Sequence, residues 1–171
     1  MNRMMYRSMP KVAGFTLVEL LIVLTIIGIL LAAAISSYQL ARIRSRDSRR
    51  ISDLRQIETA LALYEGRQHK FPVDIYAAPG ADPAGLSPDF MPVVPREPLG
   101  AVAYAYAISA DRLEYHLGAT MEDAQSAARD SDSDFSSVVA GWAQGFAGDD
   151  AAGPCLATQA GSFCYDIVEL K

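Results

Sequence analysis

Acidic residues are nearly missing from the first quarter of this 171-residue chain, where Glu19 is the only one before Asp47. Proline is missing between Lys11 and Phe71, and between Gly14 and Gly66 the only glycine is Gly28. With neither breaker in place, nothing local ends a helix over that interval. Cysteine is scarce too: Cys155 and Cys164 stand alone, and two thiols with no histidine near them do not make a structural zinc site. Histidine occurs twice, as His69 in a loop and His116 in a strand pattern, and there is no Gly-x-Ser-x-Gly, no Walker loop and no His-Glu-x-x-His. These absences leave no motif for hydrolase, nucleotide or metalloprotease chemistry, and no enzyme is expected.

What is present is sorted by charge. The formal net charge of −5 conceals +6 on residues 1–50 and −11 on residues 51–171. An acidic head argues against nucleic acid as a partner, since phosphate binding needs a basic patch. The five arginines Arg42, Arg44, Arg46, Arg49 and Arg50 follow the apolar run, where they are expected to meet lipid headgroups or the acids of neighbours. They outnumber Arg3, Arg7 and Lys11 of the leader, so charge by itself leaves membrane orientation open.

From Phe15 to Ile35 the only charge is Glu19. At about 1.5 Å per residue a helix of this length reaches roughly 30 Å, the thickness of a bilayer core. An unpaired carboxylate in lipid costs several kcal/mol, so Glu19 is expected to have a partner. A secretory signal cut near Ala32-Ala33-Ala34 is the plain alternative, but its apolar region is usually shorter and rarely contains a glutamate.

The basic leader, then Gly14-Phe15-Thr16-Leu17-Val18-Glu19, then the apolar run, closely resembles the class III signal of type IV pilins and type II secretion pseudopilins, nearest to the major pseudopilin. The resemblance implies that a prepilin peptidase cuts between Gly14 and Phe15 and methylates the new Phe15 amine. It further implies that Glu19 of one subunit neutralises the Phe15 amine of a neighbour during assembly. The expected place is the inner membrane, single-pass with an exported C-terminal domain, and then a homo-oligomeric filament. The partners it implies are minor pilin-like subunits, the peptidase and an inner-membrane assembly platform. The function expected is a structural subunit of a periplasmic pseudopilus driving type II protein secretion. The alternative is a type IV pilin of a surface filament serving adhesion, motility or DNA uptake, and a third reading is a monomeric membrane-anchored binding domain. Many pilins carry a proline where this chain has Ser36, and without it Gly28 is the remaining weak point of the helix.

The organisation that follows is α+β and pilin-like: one long N-terminal helix packed on a small antiparallel sheet of about three to four strands. Residues 1–14 are the leader, 15–36 the transmembrane or filament-core half of the helix, 37–66 its amphipathic half, 67–100 a proline-rich loop, and 101–171 the sheet with its loops. Ile43, Arg50 or Ile51, Leu54, Ile57, Leu61 and Tyr64 recur at helical spacing and form the stripe expected to face the sheet. Seven of the nine prolines lie between Phe71 and Gly100, a density that excludes helix interior and central strand. Within it, Pro92 to Gly100 looks like the family's Pro-x-Asp-Pro-x-Gly turn with Glu97 in place of aspartate. Ala101 to Ile108, Leu113 to Gly118 and Phe163 to Glu169 read as strands, the first half-buried, with Ser109-Ala110-Asp111 as the hairpin turn. Tyr104, Tyr106, Tyr115 and Tyr165 are read as core or as the partner-facing side of the sheet, not as a ligand platform.

The stretch before the third strand is long and acidic. Asp130, Asp132 and Asp134 alternate, Asp149 and Asp150 follow, and a short helix is expected around Ser136 to Gln144. Calcium takes six to eight oxygens and could tie such a loop together, although Phe135 and Gly141 stand where an EF-hand needs glycine and glutamate. The other reading is a solvated acidic turn with Asp134 capping the helix. Major pseudopilins bind calcium in a C-terminal loop, and the resemblance supports calcium here. Cys155 and Cys164 read as one disulfide of an exported domain. A C-terminal disulfide resembles type IV pilins more than the major pseudopilin, so the chain carries signals of both.

Overall fold

The computed structural model describes residues 14–171 except 82, 101, 150–152, 157 and 160. The leader expected at residues 1–14 therefore lies outside the described residues save for Gly14. The chain divides into two units, Met1–Leu40 and Ala41–Lys171, the second of which is the head.

One helix, α1 (Leu17–Gln68), contributes to both units. It ends two residues after Gly66, where sequence places the exit. His69 takes the left-handed φ of 56° and its N–H bonds Glu65 O at 2.7 Å, the αL closure usually given to glycine. Phe71-Pro72 then bars continuation. In the head, Leu54, Ile57, Leu61 and Tyr64 are buried as their spacing requires.

Three strands follow: β1 (Ala105–Ile108), β2 (Tyr115–Met121) and β3 (Phe163–Glu169), antiparallel in the order β1-β2-β3. The register sets Tyr106 against Leu117 and Ala119 against Tyr165. One face carries Tyr104, Tyr106, Ile108, Tyr115, Leu117, Met121, Phe163, Tyr165 and Ile167, which form one core with the helix stripe. The tyrosines are core, as the sequence suggests.

The strand β1 is shorter than expected and more deeply buried. Before Ala105 the backbone is engaged elsewhere: Tyr104 N–H donates to the Tyr76 hydroxyl at 3.1 Å, and Val102 O accepts from Glu97 N at 2.9 Å. All four β1 residues are buried, not half-buried, because the second face of the sheet is covered as well. There Ala105, Ala107 and Cys164 pack with Phe146 and Cys155, and Trp142 and Leu156 lean on that cluster. Gly118 makes the approach possible, since a Cβ there would stand 2.6 Å from the Phe146 ring and 2.9 Å from Cys155 Sγ. The hairpin turn is longer than expected, running from Ser109 to Glu114 with Arg112 at φ 64°, so β2 starts at Tyr115.

The helix expected at Ser136–Gln144 does not form. That segment is a run of tight turns, with Gln144 at φ 59° and Gly141 at φ 73°. Its backbone serves the sheet instead: Ile108 and Ala143 exchange N–H···O bonds of 3.2 and 3.0 Å, covering the free edge of β1. Asp134, expected as that helix's cap, sits at φ 48° in the preceding turn. A 3-10 turn at Ala127–Asp130, capped by Ser126, stands nearby.

Candidate functional site

The N-terminal unit presents a helix start built by local chemistry. Gly14, Phe15 and Thr16 are exposed and outside regular structure, so the Gly14–Phe15 bond is open to a peptidase. Thr16 and Glu19 form a capping box. The Glu19 carboxylate accepts from Thr16 N at 2.9 Å and from Thr16 Oγ1 at 2.8 Å, while Glu19 N donates back to Thr16 Oγ1 at 3.2 Å. Glu19 thus has a hydrogen-bonded place within its own chain. Beyond it, Leu17 to Leu31 expose apolar side chains, with Phe15 and Leu17 each 86% exposed. The one hydroxyl among them, Thr25, returns its proton to Ile22 O at 2.8 Å, which leaves no unsatisfied donor on an apolar face. By length and composition this helix can cross a membrane.

In the head, four of the arginines that follow the apolar run, Arg44, Arg46, Arg49 and Arg50, pair with acids of the same chain. Arg50, 2% exposed, donates from Nε to Glu97 Oε2 at 2.8 Å and from Nη1 to Asp47 Oδ1 at 2.6 Å and Glu122 Oε1 at 2.7 Å. Arg46 pairs with Glu122, Arg44 with Asp123 at 3.1 Å, and Arg49 with Asp53 at 3.8 Å. Asp47 also accepts the backbone N–H groups of Glu122 and Asp123. One guanidinium therefore joins α1, the proline-rich loop and the end of β2. Sequence reading assigned these arginines to headgroups or to neighbours, and Glu97 to a turn. The partners lie 47 and 72 residues from Arg50 along the chain, and no periodicity links them.

Burial is the largest influence on Glu97 and raises its carboxyl above the usual range, with the Arg50 bond opposing it. Glu122 is more open, so the Arg46 bond dominates and lowers its carboxyl.

A second polar centre pins the acidic loop to the sheet. His116, fully buried, stacks on Phe146 at 3.8 Å and donates from Nε2 to Asp166 Oδ2 at 2.8 Å. Its Nδ1 lies 2.9 Å from Ser137 Oγ. Asp166 also accepts from the backbone N–H groups of Ser133, Asp134 and Phe135 at 3.3, 3.0 and 3.0 Å. Aspartate, histidine and serine in line suggest a nucleophilic triad. Ser137, however, is fully buried and its Oγ is bound by Phe146 N at 2.9 Å and Phe146 O at 3.0 Å, so no substrate carbonyl can reach it. The alternation of β2 placed His116 on one sheet face, and only the fold showed that face to be covered.

The disulfide expected of Cys155 and Cys164 is present, with Cα atoms 4.6 Å apart. Asp130 lies in the 3-10 turn, and Asp130, Asp134 and Asp149 are exposed. Asp150 lies outside the described residues. Among the described residues no three acids, histidines or cysteines gather to hold a metal, so no step is assigned to calcium.

Comparison with known proteins meets the chain at the same N-terminal segment. A family described as the prokaryotic N-terminal methylation motif matches residues 9–35. The type IV major fimbrial protein FimA of Dichelobacter nodosus is 49% identical over 66 residues, which cover 37% of this chain and 41% of that protein. A fimbrial protein of Pseudomonas aeruginosa is 46% identical over 57 residues, 32% of this chain and 37% of its own length. Fimbrial protein Q of Moraxella bovis is 46% identical over 59 residues, 33% and 38%. The chain spans about two fifths of the length of the curated relatives it matches. No solved structure matches it.

A long helix with an exposed apolar start, set on a three-stranded antiparallel sheet, defines a pilin-like α+β protein. Its methylation motif at residues 9–35 and its fimbrial relatives make the N-terminal segment of the chain similar to that of type IV pilins.

Proposed function

We propose that this chain is a structural subunit that polymerises through its N-terminal helix into a filament rooted in the inner membrane. The observation that carries the reading is the exposed apolar helix bearing one carboxylate, Glu19, three residues from an accessible Thr16 within the methylation motif. In the free subunit Glu19 is held by Thr16. In the polymer it is offered to the Phe15 amine that cleavage after Gly14 releases in a neighbour, and a buried carboxylate with an opposite charge is tolerated where a bare one is not. The peptidase, the assembly platform and the minor pilin-like subunits are the partners this requires. The protein's work is structural, not catalytic.

Within that reading, the finer assignment is the pseudopilus of a type II secretion system. A surface type IV pilus is the second reading, favoured by the fimbrial relatives and by the C-terminal disulfide. Filaments on intact cells select the second, and loss of secreted protein on deletion without surface filaments selects the first.

The test of the whole is intact mass and N-terminal sequencing of the membrane-extracted protein with and without its prepilin peptidase. The expected mature chain begins at N-methylated Phe15. The Glu19→Ala variant is expected to be processed and to remain in the membrane, with assembled filament reduced at least tenfold. A chain that keeps its leader, or is cut after Ala34, overturns the reading.

Calcium binding by the acidic loop, Asp130, Asp132, Asp134, Asp149 and Asp150, is a separate proposal carried by sequence. Thermal melting in calcium against EDTA tests it: a higher Tm in calcium supports it, and equal midpoints overturn it.

A further inference from the structure

At the far end of α1 lies a cavity of about 310 Å³ whose lining includes Arg67, Lys70 and Arg112, with Tyr64, Phe90 and one acid, Asp89. Its position in the charge map is unusual. Residues 51–171 carry only seven basic side chains against eighteen acids, and three of the seven face this one cavity. Most other described cations of the head are neutralised within the chain: Arg44, Arg46, Arg49, Arg50, Arg55 and Lys171 each lie within 4 Å of a carboxylate. Among the described residues Arg67, Lys70 and Arg112 have no such ion pair.

Two of the three, Arg112 and Arg67, are also held in place. Arg112 Nε donates to Phe71 O at 2.8 Å, which fixes the guanidinium plane and leaves its terminal nitrogens. Arg67 lies 5.3 Å from the centre of the Phe90 ring, and Phe90 packs on Tyr64 at 4.9 Å. Two forked guanidinium groups and an ammonium around a concave aromatic floor suit carboxylates, which accept bidentate bonds from arginine. A volume of this size takes a short acidic segment or a small anion.

We propose that the cavity receives the Asp130–Asp134 run of a second copy of this chain. Charge complementarity favours this contact. Heads with a surplus of acids repel one another unless positive and negative patches are matched, and this surface concentrates its unneutralised cations here. The acidic run is exposed at Asp130 and Asp134, and Asp166 fixes its backbone through the Ser133 and Asp134 N–H groups. The cavity and the run are different patches of one chain. A contact between them is heterologous, and repeating it without closure generates a helical polymer. The inference rests on the filament reading and adds a head-to-head contact to the helix contacts.

Cross-linking in cells tests it on the full chain, in EDTA so that no cation competes for the same acids. The chain has no free thiol among its described cysteines, so Lys70→Cys combined with Asp130→Cys introduces the only reactive pair. The expected result is a ladder of disulfide-linked multimers that neither single variant gives. In parallel, Arg67→Glu with Lys70→Glu is expected to reduce assembled filament at least tenfold, and adding Asp130→Lys with Asp134→Lys to restore it. Filaments that form normally in the reversed variant, with no ladder in the paired one, overturn this contact and leave the filament reading standing. An unsubstituted chain that is processed but never polymerises overturns both.

Discussion

Replacing Arg50 with alanine is expected to cost the folded head about 3–5 kcal/mol, the range for removing one partner of a buried ion pair. That is a large part of a domain's usual 5–15 kcal/mol. The reason is the inequality of the three carboxylates that Arg50 joins. Asp47 keeps the backbone N–H groups of Glu122 and Asp123, and Glu122 keeps Arg46. Glu97 keeps nothing: it is 6% exposed, its Oε2 is bound by Arg50, and its Oε1 has no hydrogen-bond partner. Arg50→Lys is expected to recover little, because a single ammonium cannot fork to carboxylates arriving from three elements. Arg50→Met combined with Glu97→Met is expected to recover most of the loss, since the orphaned charge leaves with its partner.

The same cluster fixes how the two proteins respond to pH. In the unsubstituted head the Glu122 carboxyl is lowered, so its contribution is present above the ordinary glutamate range and is lost as pH falls through the lowered value. In the Arg50→Ala variant the bond that opposes the burial of Glu97 is gone, so its carboxyl rises further. A raised carboxyl binds more protons folded than unfolded, so its penalty is full at neutral pH and is relieved as pH falls through the raised value. Urea melts of both proteins at pH 7 and pH 5 are expected to show a smaller difference at pH 5. A difference that stays constant or grows would show that Glu97 is not the group left bare.

Asp166→Ala is the second large effect, expected at about 4 kcal/mol, because it strips the Asp134 and Phe135 N–H groups and His116 Nε2 of their acceptor at once and leaves Ser133 N–H only the backbone carbonyl of residue 166. A Cβ at Gly148 would lie 2.5 Å from Asp166 Oδ2, which shows how closely the loop is drawn over this carboxylate. The loss is expected to be local first. Hydrogen exchange at Ser133, Asp134 and Phe135 is expected to accelerate more than at β2, and the β1 edge bonds of Ile108 and Ala143 to weaken with it. Asp166→Asn is expected to lose less, since its carbonyl can still accept from two of the three amides while its NH2 opposes the third. Uniform acceleration across the sheet in both variants would mean that the centre holds the whole head and not the loop.

Much of the first unit was legible because its physics is local. The apolar run and the missing proline specify a helix without any distant residue, and the Thr16–Glu19 capping box that starts it, which the structure revealed, is equally local. The stripe from Leu54 to Tyr64, the third strand and the disulfide were legible for the same reason, from periodicity and from the count of cysteines. The helix expected at Ser136–Gln144 failed because its backbone found better partners in the edge of β1, which local propensity does not register.

What only tertiary structure decided is where the polar groups go. The five arginines could be read as a charged collar; folding matched Arg50 to Glu97 and Glu122, which reach it from two other segments of the chain. His116 and Asp166 sit opposite Val168 and Gly118 in the sheet register, on a face that acquires its meaning when the loop covers it. The sequence by itself determined the apolar run, the methylation motif and the helix that carries them, since these rest on hydrophobicity and on contacts within one turn. The tertiary structure decided how the acidic head is held together and where its free positive charge lies, because ion pairing depends on distances in space that spacing along the chain does not encode.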